Sequence, residues 1–136
     1  MKQVNVVYAF IYDEEQKKVL MVNNVGTGWS LPGGAVENDE TLEQAVIREV
    51  KEETNLIIEV KEVVAVNEAL FEEKGHHTIF ITFKAKVIEG EIKIIDKEEI
   101  IEIEWVEIQR ANKLMPYYPN GVDSLLKASA PYLFQG

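Results

Sequence analysis

Apolar residues recur with two different periods along the chain, and these periods divide it into strands and helices. A helical period appears once with full strength, over Thr41–Thr54, where Leu42, Ala45, Val46 and Val50 recur at intervals of three and four. Thr41 and Gln44 stand where a capping box would close the start of that helix. This segment is therefore predicted to be a helix with one buried face.

β-branched and aromatic runs predict the remaining elements. Val4–Tyr12 and Lys18–Val22 flank a polar tetrapeptide and predict a hairpin, whereas Asn23–Asn38 is predicted to be loop. Further strands are predicted over Ile57–Leu70, His77–Val87 and Ile101–Val106, with a turn at Glu72–Gly75 and short helices over Gln109–Leu114 and Val122–Ala128. In His77–Val87 the alternation predicts one apolar face and one polar face that carries Thr78 and Thr82.

Strands on both sides of one strong helix indicate an α+β fold, a mixed sheet with helices packed on it. The length of 136 residues and the absence of a linker predict a single domain over residues 1–136.

Charge and composition narrow the choice of partners. The net charge is −10, which argues against a nucleic acid polymer as partner, and a phosphate-bearing ligand would need a cation between it and the protein. There is no cysteine, no run long enough to span a membrane and no signal-like start, so a cytoplasmic protein without a membrane partner is expected.

Carboxylates interrupt the apolar stripe of the predicted helix. Glu49 and Glu53 occupy stripe positions that packing alone would fill with apolar side chains, and Glu52 lies one turn from Glu49. Three crowded carboxylates need a positive partner, and Mg²⁺ or Mn²⁺ would supply it. A solvated acidic face is the alternative. The Gly33-Gly34 pair upstream favours the metal site, because backbone without side chains can approach a ligand closely.

Residues 34–56 resemble the Nudix box of the MutT-like hydrolases, G-x5-E-x7-R-E-U-x-E-E-x-G-U, where U is a bulky apolar residue. Eight of the nine specified positions match, and only Asn55 departs, where the family has glycine. Asn tolerates the left-handed conformation expected there. Half of the net charge of −10 lies between Gly33 and Leu56.

The resemblance implies a Nudix-type αβα sandwich and hydrolysis of a nucleoside diphosphate linked to another moiety, with Mg²⁺ or Mn²⁺ as cofactor. It implies Gly34, Glu49, Glu52 and Glu53 as metal ligands, and Arg48 as the residue that orients a box carboxylate. Glu40 would contact metal or water or would be structural. The general base would be Glu53, Glu52 or a downstream acid, of which Glu99 is preferred because it precedes the strand at Ile101.

Substrate identity is the least determined feature. About sixteen residues after the box, ADP-ribose pyrophosphatases carry a Pro and dinucleoside polyphosphate hydrolases carry a Tyr. This chain has neither residue there, which argues against both of these substrate classes. A MutT-like (d)NTP pyrophosphohydrolase that releases a monophosphate and pyrophosphate is expected. Phe71 and Tyr117 lie in predicted loops where they could stack on its base. A non-catalytic nucleotide- or protein-binding module is the alternative, and a homodimer stays open.

Overall fold

A seven-stranded mixed sheet forms the centre of the molecule in the computed structural model, which describes residues 1–136. The strands are β1 (Lys2–Asp13), β2 (Lys18–Asn24), β3 (Gly28–Ser30), β4 (Gly33–Ala35), β5 (Ile57–Phe71), β6 (His76–Glu89) and β7 (Ile100–Glu107). Their order is β3-β2-β1-β6-β5, with β4 paired to β1 and β7 paired to β2.

The sheet is mixed because β1 pairs in two directions. It forms the predicted antiparallel hairpin with β2 and runs parallel to β6, with Tyr8 opposite Thr82. The predicted strands at Ile57–Leu70 and Ile101–Val106 are confirmed within β5 and β7. The turn predicted at Glu72–Gly75 contains a 3₁₀ turn over Glu72–Lys74.

Helix α1 (Leu42–Thr54) covers one face of the sheet and confirms the strongest prediction. Its capping box is formed by Thr41 and Gln44, and Ala45, Val46 and Val50 are buried against Val7 and other sheet residues. Asn55 ends the helix with φ of 69°, the left-handed conformation expected there.

Helix α2 (Ile108–Leu114) and the chain that follows it cover the other face. This layer confirms the αβα arrangement. It also covers the polar face of β6, so that Thr78 and Thr82 are buried. One prediction needs correction in this layer. The helix predicted over Val122–Ala128 is only a 3₁₀ turn over Val122–Leu126.

The loop predicted over Asn23–Asn38 was partly wrong, because β3 and β4 lie within it. Gly33–Ala35 has little intrinsic strand preference and becomes a strand only through pairing with Val6–Tyr8 of β1. No helix in the structure is long and apolar enough to cross a membrane.

Candidate active site

Strand β4 lies close to both β1 and helix α1, and glycine permits both approaches. A Cβ on Gly33 would collide with the Val7 carbonyl and lie 2.8 Å from the Tyr8 Cα, while one on Gly34 would lie 2.5 Å from a Glu49 carboxylate oxygen. Neither glycine has a positive φ. The Gly33-Gly34 pair is therefore needed for space, not for an unusual backbone conformation.

Glu53 is the most buried carboxylate of the cluster, with 7% of the residue exposed. Its Oε1 accepts a hydrogen bond of 3.0 Å from the Gly33 N–H, which ties the end of α1 to β4. Burial raises the pKa of Glu53 to about 8. The hydrogen bond from Gly33 lowers this pKa, whereas the negative charges of Glu49, Glu99 and Glu52 raise it further. A cation beside Glu53 would relieve this unfavourable charge.

Glu49 lies one turn earlier and is also mostly buried, with 16% of its side chain exposed. Burial raises its pKa, whereas the hydrogen bond from Arg48 lowers it. Nearby charges on Glu52 and Glu99 raise it further. The helix thus presents two carboxylates whose ionised forms lack sufficient positive partners within the protein.

Arg48 connects the carboxylates to one another. Its Nε and Nη2 bind the two oxygens of Glu40 at 2.6 and 2.9 Å, and Nη1 donates to Glu49 at 2.9 Å and to Glu52 at 3.2 Å. Nη2 also donates to the Ala35 carbonyl at 3.2 Å. The pKa of Glu40 is lowered, chiefly by the Arg48 hydrogen bond. Arg48 is therefore bound to protein on all three nitrogens, as expected for a positioning residue.

The donor chemistry of the cluster fits a hard divalent cation. Glu49, Glu52 and Glu53 supply carboxylate oxygens, the ligands that Mg²⁺ and Mn²⁺ prefer, and Gly34 leaves Glu49 room to approach. As the side chains stand, no three acidic or histidine residues converge on one point. Arg48 holds Glu49 and Glu52 instead, and Glu52, at 57% exposed, can reorient at little cost.

Glu99 precedes β7, as predicted, and its carbonyl accepts the Val25 N–H at 2.8 Å. Its charge reaches both buried carboxylates, since it raises the pKa of Glu49 and of Glu53. The structure thus places Glu99 on the same side as the cluster, on an exposed loop.

An aromatic cavity of about 330 Å³ lies on the sheet face opposite α1. Phe71 and Tyr117, far apart in sequence, both line it, together with Tyr8, Phe80 and Tyr118. The rings of Tyr8 and Phe80 are parallel within 3°, and Phe71 stands at 81° to Phe80. Tyr8 and Tyr117 also line a smaller cavity that reaches Gly33 and Ser30. Gly33 lines this smaller cavity and donates its N–H to Glu53, so it connects the aromatic cavity to the acidic cluster.

The profile of the NUDIX domain matches residues 1–126 of the 136-residue chain. The chain belongs to the Nudix family. The predicted Nudix box spans β4, α1 and the left-handed residue that ends the helix, and its acidic side chains make up the cluster described above.

Nudix proteins with a similar sequence or a similar structure support this assignment. An ADP-ribose pyrophosphatase of Methanocaldococcus jannaschii is 40% identical over 105 residues, which cover 74% of this chain and 61% of that protein. The MutT protein of Methanosarcina mazei Go1 has a TM-score of 0.73 at 28% identity, covering 93% of this chain and 92% of that one. A Nudix hydrolase from Nitrosomonas europaea shares the fold, with a TM-score of 0.80 at 20% identity and 98% of each chain covered. The chain spans less than two thirds of the curated relatives it matches first.

Several residues beside the Nudix box escaped the sequence prediction. Tyr8 and Phe80 lie within strands and read as core residues, so their exposure to a shared cavity becomes visible only when β1 and β6 pair. Asn67 also lines the cavity. An asparagine in the middle of a predicted strand is unusual and was the one signal that could have found it.

Proposed function

We propose that this protein is a Mg²⁺- or Mn²⁺-dependent Nudix hydrolase of nucleoside diphosphate derivatives, and specifically a MutT-like (d)NTP pyrophosphohydrolase. The observation that carries the proposal is that Tyr8 and Gly33 connect an aromatic cavity to the acidic cluster of α1. On one side lies an aromatic cavity suited to a base, and on the other lies a buried acidic cluster suited to a cation and its phosphates. A substrate with both chemical parts would occupy both surfaces.

The reaction is attack of water on a phosphorus of the diphosphate bridge, with cleavage of a P–O bond and transfer of a proton from the water to a base. Glu49, Glu52, Glu53 and the Gly34 carbonyl would hold the cation, which neutralises phosphate charge and lowers the pKa of water. Arg48 keeps Glu40 and Glu49 in position through its hydrogen bonds. Glu53, Glu52 and Glu99 are the candidate bases.

Phe71 and Tyr117 would bind the base of the substrate. Both line the aromatic cavity, and the perpendicular Phe71 and Phe80 rings form a corner in it. Base stacking on such rings is favourable for any base, because every base has a π face. These residues would therefore contribute affinity more than selectivity.

ADP-ribose is a second candidate substrate. The relative at 40% identity is named ADP-ribose pyrophosphatase, although this chain lacks the proline expected in that subfamily. The two candidates differ in products. A triphosphate would yield monophosphate and pyrophosphate, whereas ADP-ribose would yield two monophosphates.

The test is a panel of nucleoside triphosphates and ADP-ribose with Mg²⁺ or Mn²⁺, with products identified in ¹⁸O-water. The label marks the phosphorus attacked. We expect turnover to stop with EDTA, and Glu53→Gln to lower the rate at least ~100-fold. Glu43→Gln is the matched control, because Glu43 is an exposed acid in the first turn of the same helix. No turnover across the panel, with tight nucleotide binding by calorimetry, would favour the non-catalytic alternative.

Light scattering of the purified protein tests the homodimer that the sequence leaves open. A mass of twice 15.5 kDa would support it, and a mass of 15.5 kDa would exclude it under those conditions.

A further inference from the structure

A third cavity, of about 670 Å³, lies where the central sheet divides, and the proposed function does not use it. β1 pairs with β6 as far as Ile11, opposite Ala85, whereas the next residues, Tyr12 and Asp13, pair with β2. β6 continues beyond this point with no partner on that side, so a gap opens between the two halves of the sheet. The cavity occupies this gap and shares no lining residue with the aromatic cavity or the smaller one.

Apolar side chains form a large part of the wall of this cavity. They make up seven of its thirteen lining residues, among them Trp105 of β7 and Leu56, which follows α1. The volume lies within the range of about 300–1,000 Å³ that is typical of small-molecule sites. The cavity can therefore hold a small molecule, and its wall favours one with an apolar body.

The charged side chains of the wall reverse the charge balance of the chain. The whole chain has 24 acidic residues against 14 Lys and Arg, whereas this wall carries three lysines and two carboxylates. One carboxylate is that of Asp13, whose Oδ1 accepts the N–H groups of Glu15 and Gln16. The other belongs to exposed Glu14. Asp13 is thus already bound within the turn that joins β1 to β2.

The three lysines differ in their partners within the protein. Lys61 pairs with Glu59, and the pKa of that carboxyl is lowered first by Lys61 and then by the charge of Lys86. Lys84 is half-buried, yet it forms no ion pair with any acid of the protein. A partly buried ammonium group without a counter-charge is unfavourable, and an anion in the cavity would relieve this cost.

We propose that this lysine-lined cavity binds a small organic anion, in which a carboxylate or a phosphate is attached to an apolar body. The anionic group would lie beside Lys84 and Lys86, and the apolar body would lie against Trp105 and Leu56. The inference is independent of the proposed function, because none of the carboxylates assigned to the cation lines this cavity.

The experiment uses Trp105 as a fluorescent reporter of binding. The chain has two tryptophans, and Trp29 lies on the smaller cavity, so Trp29→Phe leaves only the one in the lysine-lined cavity. In EDTA, octanoate should change the fluorescence of this variant in a saturable way, with a Kd of about 1 mM or lower. Octylamine has the same apolar body with the opposite charge, and butanoate keeps the carboxylate but lacks four CH₂ groups. Each should bind at least roughly 10-fold more weakly than octanoate.

Substitution of the lysines tests the charge of the cavity. Lys84→Met keeps an unbranched apolar stem but removes the ammonium group, and it should weaken octanoate binding roughly 5- to 10-fold. The double variant with Lys86→Met should weaken it further. Lys113→Met is the matched control, because Lys113 is an exposed lysine of α2 outside the cavity, and it should leave the affinity unchanged.

Calorimetry on the wild type measures the same affinities without the reporter. Octyl phosphate distinguishes the two head groups, because tighter binding than octanoate supports a phosphate ligand and weaker binding supports a carboxylate. Equal binding of octanoate and octylamine, an unchanged affinity in the double variant, or no binding by both methods would overturn the proposal. The lysines would then serve only to keep the unpaired edge of β6 from pairing with other chains.

Discussion

Replacing Glu53 by Gln should make the cation-free protein more stable while it removes activity. The substitution keeps the shape of the side chain and an oxygen that can accept the Gly33 N–H, but it removes an almost fully buried carboxyl group whose ionised form is unfavourable there. The same carboxylate is thus unfavourable to the fold and, in our proposal, required by the reaction. Stability and function should respond to this substitution in opposite directions.

The size of the effect follows from the pKa of Glu53. It is raised from an ordinary 4.5 to about 8, mainly by burial. A carboxyl group with a raised pKa holds its proton in the folded state and loses it in the unfolded state between these two values, so rising pH destabilises the wild type. At pH 7 the free energy of unfolding of the wild type should therefore be lower than that of Glu53→Gln by up to about 3 kcal/mol. This difference should vanish as the pH falls below about 4.5.

Urea unfolding in EDTA measures this difference. The wild type, Glu53→Gln and Glu43→Gln are compared at matched pH values between 5 and 8, so that the many other acids cancel. The advantage of Glu53→Gln over the wild type should grow steadily with pH, whereas exposed Glu43 should give no such trend. Saturating Mg²⁺ at about 100 times its Kd should then stabilise the wild type by about 2.7 kcal/mol, and the variant by less.

The reasoning would be refuted by a Glu53→Gln variant whose advantage in EDTA does not increase with pH. It would equally be refuted by a variant less stable than the wild type at pH 8 with an unchanged folded structure. Either result would mean that water or another group already solvates the ionised Glu53.

Four further substitutions test other contacts. Gly34→Ala should lower activity at least ~10-fold with little loss of stability, because only the flexible Glu49 carboxylate must move. Gly33→Ala should strongly lower the melting temperature in thermal unfolding, because its new methyl group meets the backbone of β1. Glu40→Gln should lower the free energy of unfolding by about 1–3 kcal/mol at neutral pH. Because Arg48 lowers the pKa of the wild-type carboxyl, the difference between the two proteins should disappear as acid protonates that group, which urea unfolding from pH 7 to pH 3 measures. Phe71→Ala should raise KM roughly 5-fold or more with kcat nearly unchanged, as steady-state kinetics would show.

The local features of the box were predictable because they depend on nearby residues. The period of Leu42, Ala45, Val46 and Val50 predicted the helix, and Thr41 predicted its start. The same period showed that Glu53 would lie on the buried side, which the structure confirms. Hydrophobic periodicity and capping act over a few residues and are therefore legible in the sequence.

Contacts between distant segments could not be predicted in this way. The strand at Gly33–Ala35 exists because β1 pairs with it, and Thr82 is buried because chain from beyond residue 107 covers its face. Arg48 was expected to orient a carboxylate, but its preferred partner, Glu40, was fixed only when the loop before α1 folded back.

By itself, the sequence determined the family, the helix and a crowded set of carboxylates, because fixed spacing places those carboxylates on one helical face. Only the tertiary structure decided that Phe71 and Tyr117 line one cavity, and that Tyr8 and Gly33 connect this cavity to Glu53. The physical reason is that side chains far apart in sequence come together only through strand pairing and the packing of both layers on the sheet. In our proposal, the site for the phosphates is therefore local in sequence, whereas the site for the base is not.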